Sequence, residues 1–152
     1  VTIVYDTMYN GTRALAESIA EGLLAADKAL TVKLFNISKS DFNDVLTEVF
    51  RSKALLAGSP TIARGVLYAM AGFLYLVKEM KLKGKYAAAF GCHGWSGEGV
   101  GLLNKMLDEA GFTRLDDGLK VLWTPDDGAR KAAFDFGARF AEACRKAGEN
   151  KA

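Results

Sequence analysis

The sequence is poor in the residues that hold metals and form disulfides. It contains two cysteines, Cys92 and Cys144, and one histidine, His93. The two cysteines are 52 positions apart and three Cys and His residues are too few, so the chain cannot supply the ligand set of a zinc or di-iron site. Two widely separated cysteines also fit a reducing compartment better than a disulfide framework. We therefore predict no metal site and a cytoplasmic location.

The sequence also has no long apolar run and no large excess of positive or negative side chains. No stretch approaches the roughly 18 uncharged residues that span a bilayer, and the first apolar run is too short for a signal peptide. The 20 Lys and Arg nearly balance the 18 Asp and Glu, so no basic surface for nucleic acid is expected. With 152 residues, the chain is long enough to bury a stable hydrophobic core without disulfide bonds or structural metal ions. We predict one soluble domain that binds neither membrane nor nucleic acid.

Short apolar runs alternate five times with longer segments of helical period, which is typical of an α/β fold with a parallel sheet. The predicted strands are residues 1–5, 30–36, 53–58, 86–91 and 119–123. The second and fifth are interrupted by polar residues, which favours edge positions. The pattern predicts a doubly wound, five-stranded parallel sheet of order 2-1-3-4-5 with helices on both faces. Residues 1–147 form the predicted domain, and residues 148–152 are a predicted tail or linker start.

The predicted helices carry one apolar stripe each. Leu15, Ile19 and Leu23 recur every four residues along the first, and similar stripes occur in residues 42–50, 66–77, 100–107 and 132–144. Ser40 and Ser96 are the expected start signals of the second and fourth helices. For the fifth, residues 124–127 supply Thr124 as the expected cap, a proline at the first helical position and two early acids.

Three loops follow the predicted strands one, three and four, at the edge where such sheets bind ligands. Loop 1 (residues 6–12) offers hydroxyls and a flexible Asn10-Gly11 pair before a helix, which are the parts of an anion cradle. An ordinary capped turn, with Asn10 or Thr12 as the cap, explains loop 1 equally well. Loop 1 is neither a Walker loop nor a dinucleotide motif.

Loop 2 (residues 58–65) and loop 3 (residues 91–99) complete this edge. Trp95 lies among small residues in loop 3, which suits stacking on a planar ligand or anchoring of the loop. Trp123 lies in a predicted strand, and we expect it in the core. His93 has no obvious nucleophile beside it and is not expected to be a general base.

Three motifs occur along the chain in this order: residues 4–9 (VYDTMY), 58–62 (GSPTI) and 90–97 (FGCHGWSG). Together they resemble the flavodoxin domain of flavodiiron proteins, also called A-type flavoproteins. Residues 43–53 (NDVLTEVFRSK) are similar to the flavorubredoxin branch in particular. The similarity covers essentially the whole chain.

The resemblance implies a noncovalent FMN and no catalytic residue. The residues implied for the phosphate are Thr7, Met8, Tyr9, Asn10, Gly11 and Thr12. Those implied for one edge of the isoalloxazine ring are Ser59, Pro60, Thr61 and Ile62. Those implied for the other edge, with Trp95 stacked near the ring, are Gly91, Cys92, His93, Gly94, Trp95, Ser96 and Gly97.

The resemblance also implies partners. Electrons would come from a rubredoxin or rubredoxin-like domain and its reductase. They would pass to a di-iron centre that reduces nitric oxide or oxygen, in a metallo-β-lactamase-like domain, with a head-to-tail homodimer in the full protein. The di-iron centre is expected only in a separate domain, so this chain alone should not reduce nitric oxide or oxygen rapidly. The single histidine and the start at Val1 suggest an excised or separated domain.

The sequence departs from the family pattern at two places. Asn10 stands where many flavodoxins have glycine, and Ala63-Arg64 stands where many relatives carry an Asn pair. We hypothesise that Arg64, if it points to the ring, favours anionic reduced flavin and raises its potential.

A freestanding flavodoxin-type NAD(P)H:quinone oxidoreductase is one alternative function. A flavin-free flavodoxin-like interaction module is the other, although a receiver version lacks the aspartate expected after the third strand.

Overall fold

A computed structural model describes residues 1–149, and its elements alternate between strand and helix as the sequence predicts. In chain order the elements are β1 (Thr2–Tyr5), α1 (Gly11–Ala26), β2 (Lys33–Asn36), a 3-10 turn (Ile37–Lys39), α2 (Phe42–Arg51), β3 (Ala54–Gly58), α3 (Tyr68–Glu79), β4 (Tyr86–His93), α4 (Glu98–Glu109), β5 (Thr113–Arg114), β6 (Leu119–Leu122) and α5 (Asp127–Glu149).

The parallel sheet has the order β2-β1-β3-β4-β5, with β6 also paired to β4. The predicted order 2-1-3-4-5 is therefore confirmed, but the fifth position is divided between two short strands. β5 pairs with the start of β4, at Tyr86 and Ala87, and β6 pairs with its end, from Phe90 to His93. The dipeptide strand β5 is too short to give a periodic signal, so the sequence did not predict it.

Helices cover both faces of the sheet because consecutive strand residues point to opposite sides. In β1, Ile3 packs with the core of α1 and α5, whereas Val4 packs with the core of α2, α3 and α4. The central strands β1 and β3 are buried at every position, as their nearly continuous apolar sequences predict. The predicted stripe of α1 is completely buried.

The helix starts differ from the predicted ones. The cap of α2 is Asp41, whose carboxylate accepts hydrogen bonds from the Asn43 and Asp44 amides, while Ser40 donates to the Asn36 carbonyl. At α4, Gly97 rather than Ser96 is the N-cap. Both serines are as good caps as their neighbours by type, so the path of the incoming chain decides which residue is used.

The start of α5 also differs. The Asp126 carboxylate accepts a hydrogen bond from the Ala129 amide at 2.8 Å, so Asp126 rather than Thr124 acts as its cap. The helix runs through Glu149 and so includes the first two residues of the segment predicted as a tail. The rest of that segment, residues 150–152, lies outside the described residues. Within residues 1–149, no helix has both the length and the apolar composition needed to cross a bilayer.

Candidate functional site at the carboxyl edge of the sheet

A cavity of about 700 Å³ opens where β1, β3, β4 and β6 end. This volume lies within the range of ordinary small-molecule sites. Its wall combines the three predicted loops with the segment after β6. The lining residues are Thr7, Met8, Tyr9, Gly11, Thr12, Pro60, Thr61, Ile62, Ala63, Arg64, Cys92, His93, Gly94, Trp95, Ser96, Glu98, Trp123 and Thr124.

Most of the residues predicted from the sequence therefore meet at one place. Four of them, Asn10, Ser59, Gly91 and Gly97, do not line the cavity but shape the loops around it. The sequence reasoning missed Glu98, Trp123 and Thr124. Trp123 ends the last predicted strand and Thr124 follows it, so the rule that identified the other loops could also have found this segment.

A buried carboxylate, that of Asp6, fixes the start of loop 1. Asp6 is 4% exposed and accepts hydrogen bonds from the Thr7 amide at 2.9 Å and from the Ser38 hydroxyl at 2.8 Å. The turn into α1 then passes through Asn10 in the left-handed region, at φ 62°. Asparagine tolerates this region better than most side chains, so the turn survives without the glycine common at this position.

The N-terminus of α1 faces the cavity without a side-chain cap. Asn10 makes no capping hydrogen bond, and the first turn contains no acidic residue. Beside it, Thr12 is 1% exposed and its Oγ1 has no hydrogen-bond partner. An open helix N-terminus together with an unpartnered buried hydroxyl fits an anionic group in the cavity.

Cys92 packs against this helix start. Its Sγ lies 3.1 Å from the place where a Gly11 Cβ would be, so a side chain at Gly11 would press on the thiol. Burial raises the pKa of the Cys92 thiol, and the neighbouring Thr12 hydroxyl offsets part of that rise, although their contact lacks hydrogen-bond geometry. The thiol is therefore protonated at neutral pH and acts as a small apolar wall.

Loops 2 and 3 are joined by direct contacts. The Thr61 hydroxyl accepts a hydrogen bond from the Gly99 amide at 3.0 Å, and so caps α4 from another loop. A Cβ at Gly91 would lie 2.0 Å from the Ser59 carbonyl oxygen, so only glycine permits this close approach. The Ser59 hydroxyl is also engaged, with the Pro60 carbonyl and the Leu67 amide. Ser59 and Gly91 thus position the wall rather than forming its surface.

A tight turn at Ala63-Arg64 forms the tip of loop 2. Both residues have positive φ, 47° and 59°, and the flanking Ile62 and Gly65 exchange backbone hydrogen bonds of 3.1 and 2.7 Å. Positive φ at both central positions is what a type I′ turn requires, usually with Asn or Gly. Two ordinary side chains in this conformation make the turn strained, and such strain is concentrated at functional sites.

Two opposite charges, Arg64 and Glu98, line the same cavity. The Ser96 hydroxyl, hydrogen-bonded to the Glu98 carboxylate, lowers the pKa of that carboxyl, and the charges of Arg64 and Lys120 lower it further. Glu98 is therefore a carboxylate at neutral pH.

Three aromatic side chains of the cavity wall are largely exposed. Trp95 is 91% exposed, Tyr9 is 85% exposed, and Trp123 is 61% exposed. The expectation that Trp123 belongs to the core is wrong, because β6 ends at Leu122 and the chain turns before the indole reaches the interior. Large exposed rings around an open cavity suit a planar apolar ligand.

His93 contributes a second unpartnered group. Its Nδ1 is buried without a hydrogen-bond partner, and its ring lies against Gly97, where a Cβ would be 3.1 Å from His93 Cγ. Neither Ser96, whose hydroxyl bonds Glu98, nor the buried Cys92 is hydrogen-bonded to His93. The residues that line the cavity include no hydrogen-bonded pair of nucleophile and base. They offer hydrogen-bond donors suited to an anion at one end of the cavity and exposed aromatic rings suited to a flat ligand at the other.

Comparisons with known proteins agree with this geometry. The family model described as Flavodoxin matches residues 3–137. Anaerobic nitric oxide reductase flavorubredoxin of Escherichia coli K12 is 41% identical over 141 residues, which is 93% of this chain and 29% of that protein. The chain therefore spans less than a third of this relative.

Solved structures of related proteins also resemble this chain. Rubredoxin oxygen:oxidoreductase from Desulfovibrio gigas superposes with a TM-score of 0.89 and 29% identity, over 96% of this chain and 36% of that one. A flavodoxin from the domain Archaea superposes with a TM-score of 0.82 and 30% identity, over 95% of this chain and 97% of that one. The fold thus matches both a part of larger proteins and nearly all of a small one.

Proposed function

The chain belongs to the flavodoxin family, whose cofactor is FMN, and we propose that its cavity holds FMN and that the domain transfers electrons. The observation that carries this proposal is the Thr12 hydroxyl, buried and unpartnered at the uncapped start of α1. A phosphate satisfies both features at once.

Loop 1 is the proposed phosphate site. The hydroxyls of Thr7 and Thr12 and the first amides of α1 supply donors without a lysine, because no lysine lines the cavity. Asn10 keeps the turn in the shape that presents these donors.

Loops 2 and 3 are the proposed ring site. Pro60, Thr61 and Ile62 form one side, and residues 92–96 form the other. Thr61 and Gly91 keep the two sides at a constant separation through the contacts described above. FMN, when bound, supplies the electron-carrying chemistry, while these residues exclude water and orient the ring.

We further propose that the domain belongs with a flavodiiron-type reductase of nitric oxide or oxygen. The similarity to flavorubredoxin and to rubredoxin oxygen:oxidoreductase over nearly the whole chain supports this context. Electrons would come from a rubredoxin-type donor and go to a di-iron centre carried outside this chain. No group of three or more His, Cys, Asp or Glu side chains in residues 1–149 is placed to hold a metal ion.

Titration of the unliganded domain with FMN and with riboflavin tests the proposal. We expect flavin fluorescence to be quenched on binding, with FMN bound more tightly than riboflavin because loop 1 contacts the phosphate. Absence of FMN binding would refute the cofactor assignment. In the loaded domain, rapid reduction by reduced rubredoxin and slow reduction by NADPH support the electron-transfer role. The reverse result would favour a quinone oxidoreductase instead.

Arg64 and Glu98 allow a paired test of the potential. If its positive charge favours the electron-rich reduced cofactor, Arg64→Ala should lower the midpoint potential of bound FMN, by about 10–30 mV for a screened charge near the ring. Glu98→Gln should raise the potential by a similar amount. Spectroelectrochemical titration of both variants measures this effect, and equal potentials in wild type and Arg64→Ala would exclude the role for Arg64.

A further inference from the structure

Trp123 has a backbone conformation that bulky residues rarely adopt. Its φ is +57°, and its amide donates a hydrogen bond of 2.8 Å to the His93 carbonyl, which extends the pairing of β6 with β4 by one residue. A large side chain at positive φ persists only where its surroundings hold it there, and such residues cluster at functional sites.

The Trp123 indole lies directly against loop 3. A Cβ on Gly94 would lie 3.0 Å from Trp123 Cζ3 and 3.2 Å from Cη2, so Gly94 leaves room for the ring with little to spare. The indole is nevertheless 61% exposed and lines the cavity. Core packing therefore does not explain why the chain places a tryptophan here.

Trp123 also contacts the other tryptophan of the chain. The ring centroids of Trp95 and Trp123 are 6.4 Å apart and the ring planes are inclined by 70°, which is an edge-to-face pair. Trp95 is 91% exposed, and a side chain so exposed is free to change rotamer unless a neighbour restrains it. Trp123 is placed to provide that restraint.

We propose that Trp123 is a positioning residue of the flavin site, which acts by holding Trp95 in the orientation that receives the ring. Trp123 then contributes to binding only through Trp95, so its removal loses part of the contribution of Trp95 and its presence adds nothing once Trp95 is gone. This inference rests on the proposed function, because it assumes that a flavin enters the cavity.

A double-mutant cycle tests the unit. Trp95→Leu should weaken FMN binding about 10–100-fold, as loss of a stacking aromatic does. Trp123→Leu should weaken it about 3–10-fold, as loss of an aromatic pair does. The double variant should bind FMN with the same affinity as Trp95→Leu, because a residue that acts only through Trp95 has no effect when Trp95 is absent. Losses that multiply in the double variant would overturn the proposal.

Two further variants, and riboflavin as a second ligand, separate positioning from general damage. Trp123→Phe keeps an aromatic edge and should recover most of the affinity. Tyr75→Leu removes an equally exposed aromatic from α3, outside the cavity, and should bind like wild type. Trp123→Leu should weaken riboflavin and FMN by the same factor, because the affected contact is with the ring and not with the phosphate.

The unliganded protein supplies an independent readout. Only two tryptophans are present, so the near-UV circular dichroism of their contact should disappear in both Trp95→Leu and Trp123→Leu, while a cooperative melt is retained. A wild-type domain that binds no FMN would refute the proposed function. A wild-type domain that binds FMN, with Trp123→Leu binding within twofold of it, would refute the role of Trp123 alone.

Discussion

Thr12→Val is expected to weaken FMN binding about 10–100-fold, because it removes a hydrogen bond to a charged phosphate. The same change should leave the unliganded domain as stable as before or more stable by about 1 kcal/mol, because the buried hydroxyl it removes has no partner. Riboflavin, which lacks the phosphate, should bind wild type and variant equally. Binding and stability thus change independently, which a general weakening of the fold cannot produce.

Thr2→Val is the matched control for this prediction. Thr2 is also 1% exposed, but its hydroxyl is hydrogen-bonded to Ser52 at the opposite edge of the sheet. Its loss should destabilise the fold by about 1 kcal/mol and leave FMN affinity unchanged. Chemical unfolding and flavin titration of both variants give the four values needed. The phosphate assignment fails if Thr12→Val binds FMN as tightly as wild type does.

Gly137→Ala is expected to destabilise the domain by about 3 kcal/mol or more, which corresponds to a melting temperature lower by roughly 6–12 °C for a chain of this size. Gly137 lies where α5 crosses α1, and a Cβ there would be 2.2 Å from the Ile19 carbonyl oxygen. The contact is with backbone, so no side-chain rotation relieves it, and the two helices must separate.

Gly101→Ala provides the opposite outcome from the same chemical change. Gly101 lies inside α4, and a Cβ there meets nothing within 4 Å. The variant should gain about 1 kcal/mol of stability from helix propensity alone. Thermal and denaturant unfolding of the pair separate propensity from packing. A Gly137→Ala protein as stable as wild type would show that the helices can move apart at little cost.

The agreement between sequence and structure is best at the central strands and at the three loops. Ile3, Val4, Leu55 and Leu56 belong to runs that are apolar at nearly every position, and this pattern identifies a strand covered on both faces. Because parallel strands end at one edge, the loops that follow them must converge, whatever their detailed shape. The candidate site could therefore be located before any coordinate was known.

Trp123 shows where this reasoning stops. A tryptophan at the end of an apolar run is by composition a core residue, and the residues around it do not indicate that the strand ends one position earlier. The division of the fifth strand into β5 and β6, and the turn of the chain at φ +57°, place the ring at the surface.

The cap of α2 is a second feature that the sequence did not predict correctly. The choice of Asp41 over Ser40 depends on the direction from which the chain enters the helix.

The order of amino acids alone thus determined the α/β fold, the strand order and the three loops, because periodicity and chain direction are local properties that survive without tertiary contacts. Tertiary packing decided which polar groups are left without partners and which rings face the cavity. The unpartnered hydroxyl of Thr12, the cap that Thr61 gives to α4, and the contact between Trp95 and Trp123 all join distant segments or depend on burial by them. Such relations exist only after the chain has folded, and in this domain they are the observations from which the ligand contacts are proposed.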